Sequence, residues 1–116
     1  KPALLDNASR GMRVCREELF GPAVAVVKVK DVNEAIEMAN DSEFGLSAGI
    51  FTRDIDSAMR FAREVKSGNI HINWGPLWRT DAMPYGGMKG SGFGKEGPKY
   101  AIEEMTEMKT VVIHSR

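Results

Sequence analysis

The stretch LSAGIFTRDIDSAMRFAREVKSGNIHIN, residues 46–73, decides the fold, because it holds a strand, a helix and a second strand in one run. The apolar segment 46–52 predicts the first strand, and Asp54 is placed to cap the following helix. An apolar stripe at helical spacing is formed by Ile55, Ala58, Met59, Ala62 and Val65. Gly68 ends this helix, and 69–73 alternates isoleucine with polar residues, as a half-buried strand does. The unit indicates an α/β layer with right-handed crossovers.

A strand and a helix also precede this unit. The valine-rich segment 23–30 predicts a strand that is buried on both faces for part of its length. Asp31 caps the next helix, with Glu34 three residues on as in a capping box. The apolar stripe of that helix comprises Val32, Ala35, Ile36 and Ala39. The fold class predicted from this order is α/β, with strand–helix–strand–helix–strand connectivity.

The character of the chain changes after residue 73. Residues 74–97 are rich in glycine, have no regular period and contain aromatic residues, so we expect a long, ordered, functional loop. Pro98 suits the first position of a final helix that runs to about 107, and 110–114 predicts a last strand. Residues 1–16 give no clear signal. Because the chain starts at Lys1 without a helix start, we expect it to be cut from the middle of a longer protein.

Composition limits the possible functions. The 116 residues are 42% hydrophobic and 28% charged with a formal net charge of zero, which indicates a globular domain without a field that would attract nucleic acid. The longest apolar run, 23–27, is too short to cross a membrane. The single cysteine, Cys15, excludes an internal disulfide framework and agrees with a reducing compartment. We therefore expect a cytoplasmic protein with no nucleic-acid or membrane partner.

The segment EELFGP, residues 17–22, combines carboxylates, an aromatic ring and a Gly-Pro break just before an apolar strand. In extended backbone Glu18 and Phe20 point to the same side. A carboxylate can accept hydrogen bonds from two neighbouring hydroxyls while the ring covers an apolar face, which would clamp a sugar bearing a flat base. A solvated Glu pair before a buried Phe and a turn is the simpler explanation from the residues alone, and both interpretations stay open at this point.

Two parts of the long loop are further candidates. Trp74, Trp78 and Arg79 follow the end of a strand, where α/β folds place ligands, and Arg79 can hold a carboxylate or phosphate with two prongs. The alternative is that both tryptophans seal a core edge and Arg79 is solvated. The glycine-rich segment 84–97 is compatible with anion binding by backbone N–H groups or with tight turns at a close crossing, but it matches no phosphate-binding fingerprint.

The remaining reactive side chains give weaker signals. His71 lies within a strand and is predicted to make a structural hydrogen bond, whereas His114 is predicted to be solvated. No His, Cys, Asp and Glu set has metal-ligand spacing, so we expect no catalytic metal. Cys15 has no neighbouring histidine, which favours an inert thiol.

Together the motifs resemble the C-terminal part of the aldehyde dehydrogenase superfamily. They occur in the matching order between about Val14 and Ile113, and they comprise EELFGP (17–22), MANDSEFGLSAGIFTRD (38–54), SGNIHIN (67–73), MPYGGMKGSGFGKEG (83–97) and EMTEMKTVVI (104–113). The resemblance implies an oxidoreductase that converts an aldehyde to a carboxylic acid with NAD or NADP. It also implies a fold that consists of the C-terminal part of the catalytic domain followed by an oligomerisation strand.

The resemblance assigns roles to particular residues. It implies that Glu18 bonds the nicotinamide ribose hydroxyls and that Phe20 packs beside the nicotinamide. It places Trp74, Trp78, Arg79 and Tyr85 on the substrate tunnel, with Arg79 and Tyr85 nearest the aldehyde. Many relatives have an aromatic or apolar residue near Arg79, so a cation there predicts an anionic aldehyde. The pattern RTDAMPYGG (79–87) resembles branches that oxidise lactaldehyde or succinate semialdehyde.

The resemblance also implies what these residues do not contain. The family's catalytic cysteine, which forms a thiohemiacetal and then a thioester, lies upstream and does not match Cys15. We therefore expect no catalytic residue in this chain and no activity from it alone. Residues 1–107 are expected to be the incomplete catalytic part, and 108–116 the oligomerisation strand, pairing through 108–114 with another copy. Glu107 and Lys95 are expected to brace this region. A non-catalytic assembly module and an anion-binding domain are the alternatives.

Overall fold

The computed structural model describes residues 1–115 and confirms the α/β class. Its elements in chain order are β1 (Ala3–Leu5), α1 (Arg13–Arg16), β2 (Ala23–Ala25), α2 (Val32–Asn40), β3 (Phe44–Gly45), β4 (Ser47–Ile50), α3 (Ile55–Glu64), β5 (Asn69–Ile72), β6 (Met88–Lys89) and α4 (Pro98–Met105). The strands form three separate pairs. β1–β2 and β4–β5 are parallel, and β3–β6 is antiparallel. The predicted β4–α3–β5 unit is present.

The helices begin where the sequence predicts. The Asp31 side chain accepts a hydrogen bond from the Glu34 amide at 2.9 Å, while the Glu34 carboxylate accepts one from the Lys30 amide at 2.8 Å. Asp54 caps α3 by accepting from the amides of Asp56 and Ser57. These side chains satisfy amides that a helix leaves without partners in its first turn. Both predicted caps are therefore confirmed.

The core lies between α2, α3 and the β4–β5 pair. Its buried members are Ile36 of α2, Phe61 of α3 and Val65, with Val32, Ala48, Ile50 and Ile70 packed partly buried against them. The predicted stripe of α3 is partly wrong, because Ile55 and Met59 are exposed and Phe61 makes the central contact. Ala58, Phe61 and Val65 follow one another at helical spacing, so they form the buried face of this helix.

Several predicted boundaries are corrected. The strand predicted for 23–30 is limited to Ala23–Ala25 and is half-buried on one side only, because its one ladder partner is β1. The strand predicted for 46–52 is Ser47–Ile50. α3 ends with Val65 as its C-cap rather than at Gly68, and the final helix ends at Met105 rather than near 107.

Elements that the sequence did not reveal lie near the N-terminus and within the long loop. Residues 1–16 contain β1 and α1, and the long loop contains β6. Residues 110–114 form no strand within the described part of the chain. A strand needs a ladder partner, and 110–114 pairs with no strand among residues 1–115. The pairing of this segment with another copy stays a prediction.

The long loop is held against the rest of the fold by backbone contacts. The amide of Gly90 donates to the Glu43 carbonyl at 2.9 Å, and the amide of Gly45 donates to Ser91 Oγ at 2.9 Å. Lys89 lies in the left-handed region with φ of 56°, and its Nζ donates to the carbonyls of Asn40 and Ser42. The glycine-rich segment is thereby fixed beside β3.

Candidate functional site

The first two residues of the segment 17–22 lie at one side of an open cleft of about 420 Å³. Glu18 lines this cleft together with Phe44 of β3 and Ser91 of the glycine-rich loop. The other lining residues are Cys15, Arg16, Glu17, Ser42, Leu46 and Gly90. The fold therefore brings the predicted coenzyme carboxylate beside Ser91 of the glycine-rich loop, 73 positions further on in the sequence.

Glu18 differs from the other charged groups at the cleft in its hydrogen bonding. Glu17 accepts from Arg13 at 2.9 and 2.8 Å, and this bond lowers the pKa of the Glu17 carboxyl. Arg16 donates to both carboxylate oxygens of Asp41, at 2.8 and 2.9 Å, which lowers the pKa of Asp41 and raises that of Arg16. Glu18 accepts no side-chain hydrogen bond from residues 1–115. It is the carboxylate that is free to accept bonds from a ligand.

Phe20 is not in the cleft. Its side chain is 91% exposed, and it follows the cleft residue Glu18 by two positions. An aromatic ring left in solvent is available to pack against a flat ligand or another part of a protein. The expected position of Phe20 beside a nicotinamide stays a prediction.

In the glycine-rich segment, three consecutive amides, those of residues 90–92, are already bonded to carbonyl oxygens of the chain. The amide of Ser91 donates to the Met88 carbonyl, and that of Gly92 donates to the Lys89 carbonyl at 3.4 Å. The amide of Gly90 is bonded to Glu43, as described above. Because these N–H groups already have intramolecular acceptors, they are not free to surround a phosphate. The tight-turn interpretation of this segment fits the structure better.

The two tryptophans lie together in a second, apolar cleft of about 450 Å³. This cleft is lined by Ile70, His71, Ile72, Trp74 and Trp78. The His71 ring meets Trp78 edge-on with 6.5 Å between centroids. The hydrogen bond predicted for the His71 side chain is not present within residues 1–115. The tryptophans therefore do not seal a core edge but form an exposed apolar surface beside β5.

Bonds from β4 and β5 position Trp74. Asn73 has a φ of 57°, its amide donates to the Ile50 carbonyl, and its Oδ1 accepts from the Thr52 amide at 2.8 Å. Ser47 Oγ donates to the Pro76 carbonyl at 2.7 Å. A β-carbon at Gly49 would lie 2.8 Å from the Trp74 carbonyl oxygen, so the small residue lets the loop approach β4.

Arg79 and Tyr85 are in direct contact. The guanidinium carbon of Arg79 lies 4.3 Å from the centroid of the Tyr85 ring, and Arg79 Nη1 lies 3.1 Å from Glu96 Oε2. This arrangement combines a cation–π contact with an ion pair. Glu96 was not identified from the sequence, because its partner Arg79 is 17 positions away and no motif links them.

The described residues contain no group of three or more His, Cys, Asp or Glu side chains that could hold a metal ion. None of the helices in residues 1–115 has the length and apolarity needed to cross a membrane. His114 is exposed, and Cys15 is half-buried at the edge of the Glu18 cleft. The sites therefore consist of a carboxylate cleft, an aromatic cleft and the Arg79 contact.

The comparisons with known proteins identify the class. The sequence profile of the Aldehyde dehydrogenase family matches residues 1–111. The chain belongs to the aldehyde dehydrogenase family, which confirms the resemblance found in the motifs.

Two curated relatives illustrate the branch. The chain is 51% identical over 113 residues to a 3-sulfolactaldehyde dehydrogenase from Priestia aryabhattai, covering 97% of this chain and 24% of that protein. It is 50% identical over 114 residues to a lactaldehyde dehydrogenase from Methanococcus vannielii, covering 98% and 24%. The chain thus spans about a quarter of the length of these relatives.

Solved structures agree in fold. Aldehyde dehydrogenase 21 from Physcomitrella patens, in complex with the reaction product succinate, matches with a TM-score of 0.88 and 36% identity over 95% of this chain and 23% of that one. A glyceraldehyde-3-phosphate dehydrogenase from Methanocaldococcus jannaschii, complexed with NADP, matches with a TM-score of 0.88 and 41% identity over 95% and 24%.

Proposed function

We propose that the chain functions as the C-terminal part of an NAD(P)-dependent aldehyde dehydrogenase, which oxidises an aldehyde to a carboxylic acid. The observation that carries this proposal is the free carboxylate of Glu18 in its cleft, within a chain of this family. Glu18 would accept hydrogen bonds from the two ribose hydroxyls of NAD or NADP, and Phe20 would pack against the nicotinamide end. The coenzyme would supply the hydride acceptor.

The catalytic groups are proposed to lie outside these 116 residues. Cys15 is close in sequence to Glu17 and Glu18 and has no histidine or other base bonded to it within residues 1–115. The cysteine that forms the thiohemiacetal and thioester would therefore belong to another part of the protein. Residues 1–107 would complete the catalytic domain from the C-terminal side.

The substrate is proposed to be a small anionic aldehyde. Trp74 and Trp78 would form an apolar wall, with Arg79 and Tyr85 near the far end of the aldehyde. A cation at Arg79 suits a carboxylate, sulfonate or phosphate. The names of two similar proteins support this class, since one acts on a sulfonated aldehyde and another was solved with succinate.

The segment 108–114 is proposed to pair with another copy of the chain. Met108, Val111, Val112 and Ile113 are all exposed, and Ile113 is 89% accessible. An apolar extended segment without a ladder partner is suited to adding a strand to a neighbouring sheet. Val112→Pro, which removes an N–H from the ladder, should lower the oligomeric state measured by analytical ultracentrifugation. An unchanged sedimentation profile would remove this proposal.

The main experiment measures coenzyme reduction by the full-length protein that contains this chain. We expect aldehyde-dependent reduction of NAD or NADP, followed by the absorbance of the reduced nicotinamide. Iodoacetamide should inactivate the protein, and peptide mapping should place the responsible alkylated cysteine outside these 116 residues. Loss of activity in step with alkylation of Cys15 would contradict this assignment. A protein that assembles but reduces neither coenzyme with any aldehyde would instead be a non-catalytic module.

A further inference from the structure

Arg79 is held by two residues that are themselves paired. Tyr85 and Glu96 form an antiparallel bridge, in which the Tyr85 amide donates to the Glu96 carbonyl at 3.2 Å and the Glu96 amide donates to the Tyr85 carbonyl at 2.6 Å. Side chains directly opposite in such a pair project to the same side. The phenol ring and the carboxylate therefore form one platform, and the Arg79 guanidinium lies on it.

The platform is anchored to the sheet. The Gly86 carbonyl, next to Tyr85, accepts from Asn69 Nδ2 of β5 at 3.3 Å and from Lys95 Nζ at 3.1 Å. Asn69 is buried, so this bond fixes the loop to the central strand pair. Lys95 directly precedes Glu96, so its bond to the Gly86 carbonyl also restrains the backbone at Glu96.

A second anchor comes from α4. The Glu104 carboxylate accepts from the Lys95 amide at 3.2 Å, and it lies so close to Gly94 that a β-carbon there would be 3.0 Å from one of its oxygens. Gly94 has a φ of 77°, a conformation that glycine adopts without steric cost. The turn before Glu96 is thus fixed by a helix on one side and by a strand on the other.

The contact leaves most of the Arg79 donors available. Arginine has five N–H donors, and Arg79 uses one nitrogen, Nη1, for its bond to Glu96 within residues 1–115. The Arg79 side chain is 40% exposed. A guanidinium that lies over a ring and is bonded at one end leaves its other nitrogens free to donate. That geometry suits two-pronged binding of an anion.

We infer that Glu96 and Tyr85 are positioning residues for Arg79, which fix its guanidinium so that the free edge binds the anionic group of the aldehyde. This inference rests on the proposed function. It assigns Glu96 a role in substrate specificity through Arg79 rather than through contact with the substrate. The opposite role, in which Glu96 competes with the substrate anion for Arg79, makes the opposite kinetic prediction.

The test compares 3-sulfolactaldehyde with lactaldehyde in the full-length protein, because the two substrates differ by one sulfonate group. Glu96→Ala should raise the KM for 3-sulfolactaldehyde about tenfold, which corresponds to about 1.4 kcal/mol. Glu96→Gln keeps an oxygen acceptor of the same shape and should rescue most of this loss. The KM for lactaldehyde should change less than about twofold, because no charged contact is lost. Glu103→Ala, which removes an exposed carboxylate near Lys99, is the matched control and should change neither KM.

The outcomes separate this inference from the proposed function. A lower KM for 3-sulfolactaldehyde in Glu96→Ala would show that Glu96 competes for Arg79, and equal effects on both aldehydes would show a merely structural role. Arg79→Ala provides a further test. If this variant still oxidises lactaldehyde and keeps the wild-type preference for 3-sulfolactaldehyde, the inference is overturned while the dehydrogenase function stands. Absence of coenzyme reduction with every aldehyde would overturn both. Thermal unfolding of each variant shows whether it is folded.

Discussion

Gly68 and Gly86 meet backbone to backbone: a β-carbon at Gly68 would overlap the Gly86 carbonyl oxygen. This is the carbonyl that Asn69 and Lys95 also bind. The glycine at 68 is therefore required for the long loop to reach the start of β5. Substitution of this residue is expected to act on the loop and not on the helix before it.

Gly68→Ala should destabilise the full-length protein by about 3 kcal/mol, because the clash is with backbone atoms that cannot rotate away. Chemical denaturation measures this loss. Gly11→Ala is the control, since a β-carbon at Gly11 meets nothing within 4 Å and the change should be less than about 1 kcal/mol. Equal stability of the two variants would show that the loop does not approach Gly68 so closely.

Glu18→Gln should slow hydride transfer about tenfold and weaken coenzyme binding, because a charged acceptor for two hydroxyls is replaced by a neutral one. Stopped-flow coenzyme reduction measures the rate. Glu17→Gln is the matched control, because the Glu17 carboxylate is already bonded to Arg13. Unchanged kinetics in Glu18→Gln, or a larger effect in Glu17→Gln, would reject the role of Glu18.

Glu104→Ala should accelerate hydrogen exchange of the Lys95 amide and its neighbours, because that amide loses its acceptor. Hydrogen–deuterium exchange with mass spectrometry of the peptide covering 92–98 measures the effect. The sequence suggested Glu107 as the brace, but α4 brings Glu104 to Lys95 and ends at Met105. Faster exchange in Glu107→Ala alone would restore the original assignment.

The ion pair of Arg16 with Asp41 should make stability depend on pH in the acid range. The bond from Arg16 lowers the pKa of Asp41 in the folded protein. Its contribution is therefore complete above the ordinary carboxyl pKa of about 3.9 and is lost as the pH falls through the lower folded-state value. Asp41→Asn should lower the unfolding temperature at pH ~6, and the difference from wild type should vanish in stronger acid.

Glu43→Gln is the control for this pH dependence, because the exposed Glu43 side chain makes no hydrogen bond within residues 1–115. Its unfolding temperature should follow that of the wild type at every pH. A difference between Asp41→Asn and wild type that persists unchanged below the acid transition would contradict the role of the pair.

The sequence predicted those parts of the fold that depend on residues close to one another in the sequence. The caps at Asp31 and Asp54 bond amides two or three positions away, so their signals are local. The pairing of β3 with β6 joins Phe44 to Lys89 across 45 positions, and two-residue strands leave no periodic pattern. The central position of Phe61 depends on its packing against α2 and the β4–β5 pair, which the helical stripe alone does not fix.

In the candidate site, too, the residues in local motifs were predicted and those positioned by long-range contacts were not. Glu18, Trp74, Trp78, Arg79 and Tyr85 are motif residues, and the structure brings the two tryptophans together and Arg79 onto Tyr85. Glu96 was missed because its role arises from the bridge to Tyr85. Ser91 was missed because it reaches the Glu18 cleft only through its bond to Gly45. Local motifs identified the chemistry, and long-range contacts determined how it is arranged.

The thin core, with Ile36, Phe61 and Val65 at its centre, has a practical consequence. Two-stranded sheets with so few buried side chains are marginally stable by themselves. Expressed separately, these 116 residues should collect in inclusion bodies. Co-expression with the other part of the proposed full-length dehydrogenase should bring them back into the supernatant, so that this segment would serve as one half of a split reporter.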